Sequence, residues 1–256
     1  MNNNIAYPPF SMKTPLLFLA LTMLLMLLVL YFVQQGEIGK PAVLIGLFGP
    51  AIIAVLFSYL EGGGRQVKQL LSQYVAYKAS WRHYALATLL IPALIYLTML
   101  VTELSGQITY STWFSGLSIA QLLFIPLISI GEELGWRGYL QPLFRRRYGL
   151  LAASLLVGCV WAIWHLTGYY FDTGVVEGLP FELFFMWVVG AALVMGYLYE
   201  KTNSVLLAVL FHTSVNLSLN VFKIIPEFSG SIMPFTMLII LVWLVGLGLI
   251  FCHSKK

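Results

Sequence analysis

Charge is scarce in this chain. Of its 256 residues 9% are Asp, Glu, Lys or Arg, 60% are hydrophobic, and the mean hydropathy is +0.88. Soluble domains carry about 25% charged residues and need a polar exterior. A soluble cytoplasmic enzyme, a secreted disulfide domain and a nucleic-acid-binding module are therefore excluded. Cysteine is nearly absent too: Cys159 and Cys252 sit in apolar runs and form neither CxxC nor a metal spacing. A single aspartate, Asp172, rules out a paired-aspartate site. HExxH, GxSxG and a Gly-rich phosphate loop are all missing.

What is there is long apolar runs. A helix crossing the hydrocarbon core needs about 20 mostly apolar residues. Eight stretches meet or approach this: Leu16–Val33, Ala42–Leu60, Tyr84–Thr102, Leu117–Gly135, Leu150–Tyr170, Phe181–Tyr199, Ser204–Val221 and Met233–Cys252. The runs are continuous and lack the short alternation of a membrane barrel. The expected fold is all-α, a polytopic integral membrane protein of about eight transmembrane helices. No repeat or linker divides it, so residues 1–256 are read as one domain; the family resemblance given below implies a catalytic core at about 115–222. The run after Lys13 is too long for a signal peptide and reads as a retained first span.

Basic residues orient the spans. With the N-terminus inside, the inner loops collect Lys13, Arg65, Lys68, Lys78, Arg82, Arg145, Arg146, Arg147, Lys201, Lys255 and Lys256. The outer side receives only Lys40 and Lys223, with Glu37, Glu103, Asp172, Glu177, Glu182 and Glu227. Both termini are then cytoplasmic, and the short loops suit a bacterial plasma membrane. Glu61–Arg82 reads as an interfacial amphipathic helix.

Three spans carry polar groups. The fourth holds Glu132 and Glu133, with Arg137 just beyond; the fifth holds His165; the seventh holds His212 and Asn216. Each charge at a membrane helix centre costs about 2.5–3.5 kcal/mol on insertion scales, so such residues are functional candidates. Glu133 and Arg137 are spaced i,i+4 and can pair. Glu132 points about 100° away round the helix. His212 and Asn216 share a face, and Gly131 and Gly135 allow a neighbouring helix to approach closely. These residues predict a tight pocket of Glu132, His165, His212 and Asn216. Singly, each His or Asn could be interhelical glue and Glu133–Arg137 a structural ion pair; the second Glu beside two His is harder to explain that way. A carboxylate, two imidazoles and an amide suit water activation with oxyanion stabilisation. They equally suit a zinc site of two His and one Glu with an open position.

Glu132-Glu133-Leu134-Gly135-Trp136-Arg137 resembles the EExxxR motif of the CAAX-protease and bacteriocin-processing family (CPBP, or Abi). Trp161 and His165 resemble its FxxxH motif, with Trp in place of the usual Phe, and His212 and Asn216 its HxxxN motif. The Trp predicts a packing change with no lost chemistry. The resemblance implies an intramembrane endopeptidase, similar to the type II CAAX prenyl endopeptidase, acting on a membrane-associated peptide or protein in peptide maturation, bacteriocin processing or self-immunity. It implies Glu132 as the base, His165 as its partner on the water, His212 and Asn216 at the oxyanion, and Glu133 and Arg137 as supports. Family members are described as glutamate proteases and as metalloproteases. Asn216 is a poor fourth zinc ligand and a good oxyanion donor, which favours a metal-free site without cofactor. Zinc on Glu132, His165 and His212 is the alternative. A non-enzymatic scaffold or immunity protein of the same fold, and a proton-coupled transporter, are the competing functions. Every polar motif residue is present, which favours the enzyme, and no pair of broken helices in matching halves suggests a transporter.

At 1.5 Å per residue a straight helix from Arg147 would carry His165 about 27 Å in. That depth predicts an interfacial stretch just after Arg147. The topology is checked by reporter fusions after Lys256 and within the 172–177 loop, which should report opposite sides of the membrane.

Overall fold

A computed structural model describes residues 12–173 and 178–254; Glu177, Lys255 and Lys256 lie outside them. Every extended element is helical: α1 (Lys13–Gln34), α2 (Val43–Leu47), α3 (Gly49–Ser72), α4 (Trp81–Leu104), α5 (Ile119–Glu133), α6 (Gln141–Tyr170), α7 (Phe181–Thr202), α8 (Val205–Val221), the short α9 (Pro226–Ser229) and α10 (Met233–Ser254). Turns of 3₁₀ helix cover Lys40–Ala42 and Gln73–Val75, and a π turn, Leu134–Leu140, joins α5 to α6. Outside the helices, Phe114 and Phe222 form an isolated β-bridge.

Local chemistry accounts for the helix ends. Ser118 starts α5 with a capping box: its hydroxyl accepts the Gln121 N–H, and the Gln121 side chain accepts the Ser118 N–H. Asn203, left-handed at φ 49°, ends α7, and Ser204 caps α8 by accepting the Leu207 N–H. The α7–α8 connection is thus a tight turn made by Asn203 and Ser204. Leu16, Leu123 and Leu244 are each at least 60% exposed, as expected of side chains that face lipid hydrocarbon rather than a partner helix.

The expected eight spans are only partly separate. Five helical stretches are long and apolar enough to cross a membrane, or six if the pair Lys40–Leu47 and Gly49–Val75, bent by 43°, is one span. Val205–Val221 is a shorter apolar helix. The expected fourth and fifth spans form one continuous helical run of 52 residues, Ile119–Tyr170. This run folds back on itself. Glu132 and Trp161 are 29 residues apart in sequence, yet their side chains hydrogen-bond at 2.7 Å; a straight helix would separate them by about 44 Å. The reversal is made by the π turn and by Gly149, whose φ of 80° lies where only glycine is unstrained.

One other expectation is corrected. The stretch just after Arg147, expected at the interface, is helical and kinks at Gly149, and that bend brings His165 back beside the carboxylates. The interfacial helix expected over Glu61–Arg82 is shorter. It starts after a kink at Gly62–Gly63, where Gly63 has φ 64°, and ends in the Gln73–Val75 turn. Composition marks that segment as amphipathic but does not reveal where glycine breaks it.

The Glu pair sits where two helices nearly touch. A Cβ on Gly131 would lie 2.8 Å from the Phe48 ring, and one on Gly135 would lie 2.6 Å from the backbone of Pro50. The close approach predicted for this glycine pair is therefore present, made by the α2–α3 bend. A ring can rotate, whereas the Pro50 backbone cannot move without displacing α3. Gly135→Ala should lower stability by about 1–3 kcal/mol through overpacking. Gly248→Ala, whose added Cβ would meet nothing within 4 Å, should be neutral in the same thermal unfolding assay in detergent.

Candidate active site

Glu132 and Glu133 end α5 and are 2% and 0% exposed. Their side chains diverge, as the helical spacing requires. Glu133 accepts two hydrogen bonds from Nη1 of Arg137, at 2.8 and 2.9 Å, and Arg137 is itself fully buried. Glu133 Oε1 also lies 2.9 Å from Nδ1 of His212 on α8. Glu133 is therefore more than half of a structural ion pair: it ties the first motif directly to the third.

Glu132 turns towards α6. Its Oε2 accepts the indole N–H of Trp161 at 2.7 Å, leaving Oε1 to other partners. Trp161 does more than substitute one aromatic for another. A phenylalanine has no N–H to give, so this carboxylate would lose a buried hydrogen bond. The indole is also a packing hub. The Arg137 guanidinium carbon lies 4.5 Å from its ring centre, and the imidazoles of His165 and His212 pack edge-on at 5.6 and 5.1 Å.

The two histidines are held alike. His165 Nδ1 is 2.8 Å from the Trp161 carbonyl oxygen. A carbonyl can only accept, so Nδ1 carries the proton and neutral His165 presents Nε2 as an acceptor. Its ring is wedged edge-on between Trp164 and Phe184, at centroid distances of 5.0 and 5.1 Å. His212, 4% exposed, uses Nδ1 on Glu133, so its Nε2 is again the free nitrogen. Asn216 lies one turn further along α8 and is half-buried.

Glu132, His165, His212 and Asn216 all line one cavity of about 780 Å³. That volume falls within the usual range for ligand sites. The cavity extends to Ser115 and Thr173 in the connections, to Glu227 in α9, and past Gln121 and Asn220. Glu133 and Arg137 do not line it; they stand behind it and hold His212 and Trp161. All six were singled out in the sequence, and the structure brings four to the cavity wall and two behind it. Sequence spacing missed Trp161 as a donor and Glu133 as the partner of His212, because neither contact exists until α5, α6 and α8 pack together. A Trp one helical turn before an intramembrane His was the available signal for the first.

The same residues can be tested as metal ligands. Anchored Nδ1–H groups with free Nε2 atoms are what metal-binding histidines commonly show. Among the described residues, however, no group of three or more His, Cys, Asp or Glu is arranged to hold a metal ion. Glu132, His165 and His212 share a cavity without converging as a ligand set.

Comparison with known proteins places this site in a known context. Residues 112–218 match the model of the type II CAAX prenyl endopeptidase Rce1-like family, an interval that holds all three motifs. The CAAX prenyl protease 2 of Methanococcus maripaludis is 27% identical over 194 residues, 68% of this chain and 69% of that protein. The similarity thus extends beyond the three motifs to the interval around them and to about two thirds of the chain.

Removing one partner of a buried ion pair leaves an uncompensated charge, at a cost of about 3–5 kcal/mol. Glu133→Ala should destabilise the protein by that order, seen as a lower unfolding temperature in detergent and a lower level in membranes. The double variant Glu133→Leu/Arg137→Met, which removes both charges, should recover most of the loss.

Proposed function

We propose, from its similarity to the type II CAAX prenyl endopeptidase family and to a CAAX prenyl protease, that this chain is an intramembrane endopeptidase. It hydrolyses a peptide bond in a membrane-associated peptide or protein with water activated by Glu132 and His165. The observation that carries the reading is the cavity: residues from three motifs, on three helices, line one space. The cell setting is a bacterial plasma membrane with both termini cytoplasmic, in peptide maturation, bacteriocin processing or self-immunity.

The chemistry follows from which atoms are free. Glu132 Oε1 and His165 Nε2 are both acceptors, since Oε2 is held by Trp161 and Nδ1 by a carbonyl. A water between them donates one hydrogen to each and turns a lone pair to the substrate carbonyl carbon. On attack the C–O bond forms, the water proton passes to Glu132, and the carbonyl oxygen becomes an oxyanion. Asn216 donates an amide N–H to that oxygen. His212 turns Nε2 towards the same oxygen and donates to it when that nitrogen carries a proton, its Nδ1 being engaged by Glu133. The intermediate then collapses: the C–N bond breaks and Glu132 returns its proton to the leaving amine. The buried Glu133–Arg137 pair fixes the orientation of the His212 ring.

No step needs a metal, and the amide at Asn216 suits an oxyanion better than zinc. A transporter built on inverted repeats would carry broken helices in both halves. Among the described residues there is one bent pair, Lys40–Leu47 with Gly49–Val75, in the N-terminal half. A scaffold or immunity protein would have no use for four polar groups around a cavity.

The relative's name makes a fluorescence-quenched peptide ending in a farnesylated CAAX sequence the first substrate to assay, beside peptidomics of producing cells for an uncleaved precursor. Glu132→Gln should abolish cleavage while preserving the fold; near-normal cleavage overturns the assignment. Asn216→Ala should lower kcat by about 10²–10³, the loss typical of one oxyanion donor, with KM little changed. Activity should survive chelator. Loss in chelator with recovery on zinc overturns the metal-free mechanism and makes Glu132 or a histidine a ligand.

A further inference from the structure

The helix that carries the two glutamates is irregular, and its irregular carbonyls are satisfied from outside it. At the α–π junction Leu134 turns its N–H to the Glu132 carbonyl. At the other end Pro142 has no N–H to offer the carbonyl of Gly138, four residues earlier. A buried backbone carbonyl without a partner is costly, most of all in a membrane. A carbonyl at each end is met by adjacent residues of the Gln73–Val75 turn. The Tyr74 hydroxyl donates to the Ile130 carbonyl at 2.5 Å, and Gln73 Nε2 donates to the Gly138 carbonyl at 3.3 Å. Gln73 is 5% exposed, and its Oε1 accepts the Tyr199 hydroxyl of α7, which fixes the amide's orientation. The two contacted carbonyls bracket Glu132, Glu133 and Arg137.

We infer that Gln73 and Tyr74 are positioning residues, a brace that holds the α-to-π register of the helix presenting Glu132 and Glu133. The register matters because a one-residue change in turn type rotates the carboxylates relative to Trp161 and His212. The contact is remote from the cavity, since neither residue lines it. Its kinetic consequence rests on the endopeptidase reading; its structural consequence does not.

The test uses the full chain in detergent micelles, with Tyr74→Phe and Gln73→Met, each of which removes one donor with little change of volume. Tyr84→Phe, which loses a similar tyrosine bond to the Tyr77 carbonyl, is the control. Backbone hydrogen exchange, resolved by mass spectrometry, should quicken about fivefold over residues 134–141 in both variants, the scale of one net hydrogen bond. Exchange in α7 and α10, and in the control, should stay unchanged. On the quenched farnesylated peptide kcat should fall by about tenfold with KM unchanged, since misplacement of reacting groups acts on the transition state. Unchanged exchange over 134–141, or an equal rise throughout the chain, overturns the brace. Faster local exchange with wild-type kcat overturns the positioning role and leaves a structural tie. If the wild-type chain cleaves nothing, the endopeptidase reading fails, and the exchange data alone decide whether these side chains hold the register.

Discussion

The Glu133 carboxylate is the constraint on which the rest of the site depends. It is fully buried, and burying a carboxylate is tolerable only when its lone pairs are filled and its charge is balanced. Arg137 meets the charge from within the same helical run, and His212 meets a second acceptor position from α8. Those contacts join α5 and α8 at the buried end of α5, while the Gln121–Asn220 hydrogen bond joins them near the other end. They also decide the orientation of the His212 ring, and hence which nitrogen faces the cavity. A buried pair of this kind is weak evidence for stability in itself, but it is well suited to specifying one arrangement among many apolar alternatives.

Around that pair the site is organised by one indole. Trp161 supports Glu132 through its N–H, covers the Arg137 guanidinium with its face, and touches both imidazoles with its edges. The two glutamates, adjacent in sequence, therefore take different roles through different neighbours. Glu133 is saturated by a cation and an imidazole behind the cavity wall. Glu132 is held by the Trp161 indole at the wall itself. This division is what allows two carboxylates side by side in an apolar medium without both being spent on structure.

Close backbone approach is the other requirement. Gly135 packs against the Pro50 backbone with no room for a Cβ, and Gly149 allows the long Ile119–Tyr170 run to turn back. In hydrocarbon there is little hydrophobic drive for helices to associate, so contact must come from tight packing and from polar groups that find each other. The glycines supply the first and the glutamates, histidines and tryptophan the second. The brace from Gln73 and Tyr74 extends the same logic to the backbone, where carbonyls left by a π turn and a proline are met by side chains.

Much of this protein was determined by sequence alone. Sparse charge and long apolar runs required a helical membrane protein, and the spacing of Glu133 with Arg137 and of His212 with Asn216 set which residues could share a face. Those are properties of a single helix, readable from a 3.6-residue period. The tertiary structure decided what no local period contains: that the fourth and fifth apolar runs are one helix folded back at Gly149, that a π turn follows Glu133, that Trp161 gives its N–H to Glu132, and that His212 is seated by Glu133. Each depends on groups distant in sequence, such as Glu133 and His212, brought within 3 Å. A helix dictates where its side chains point, but what they meet is settled only when the helices pack.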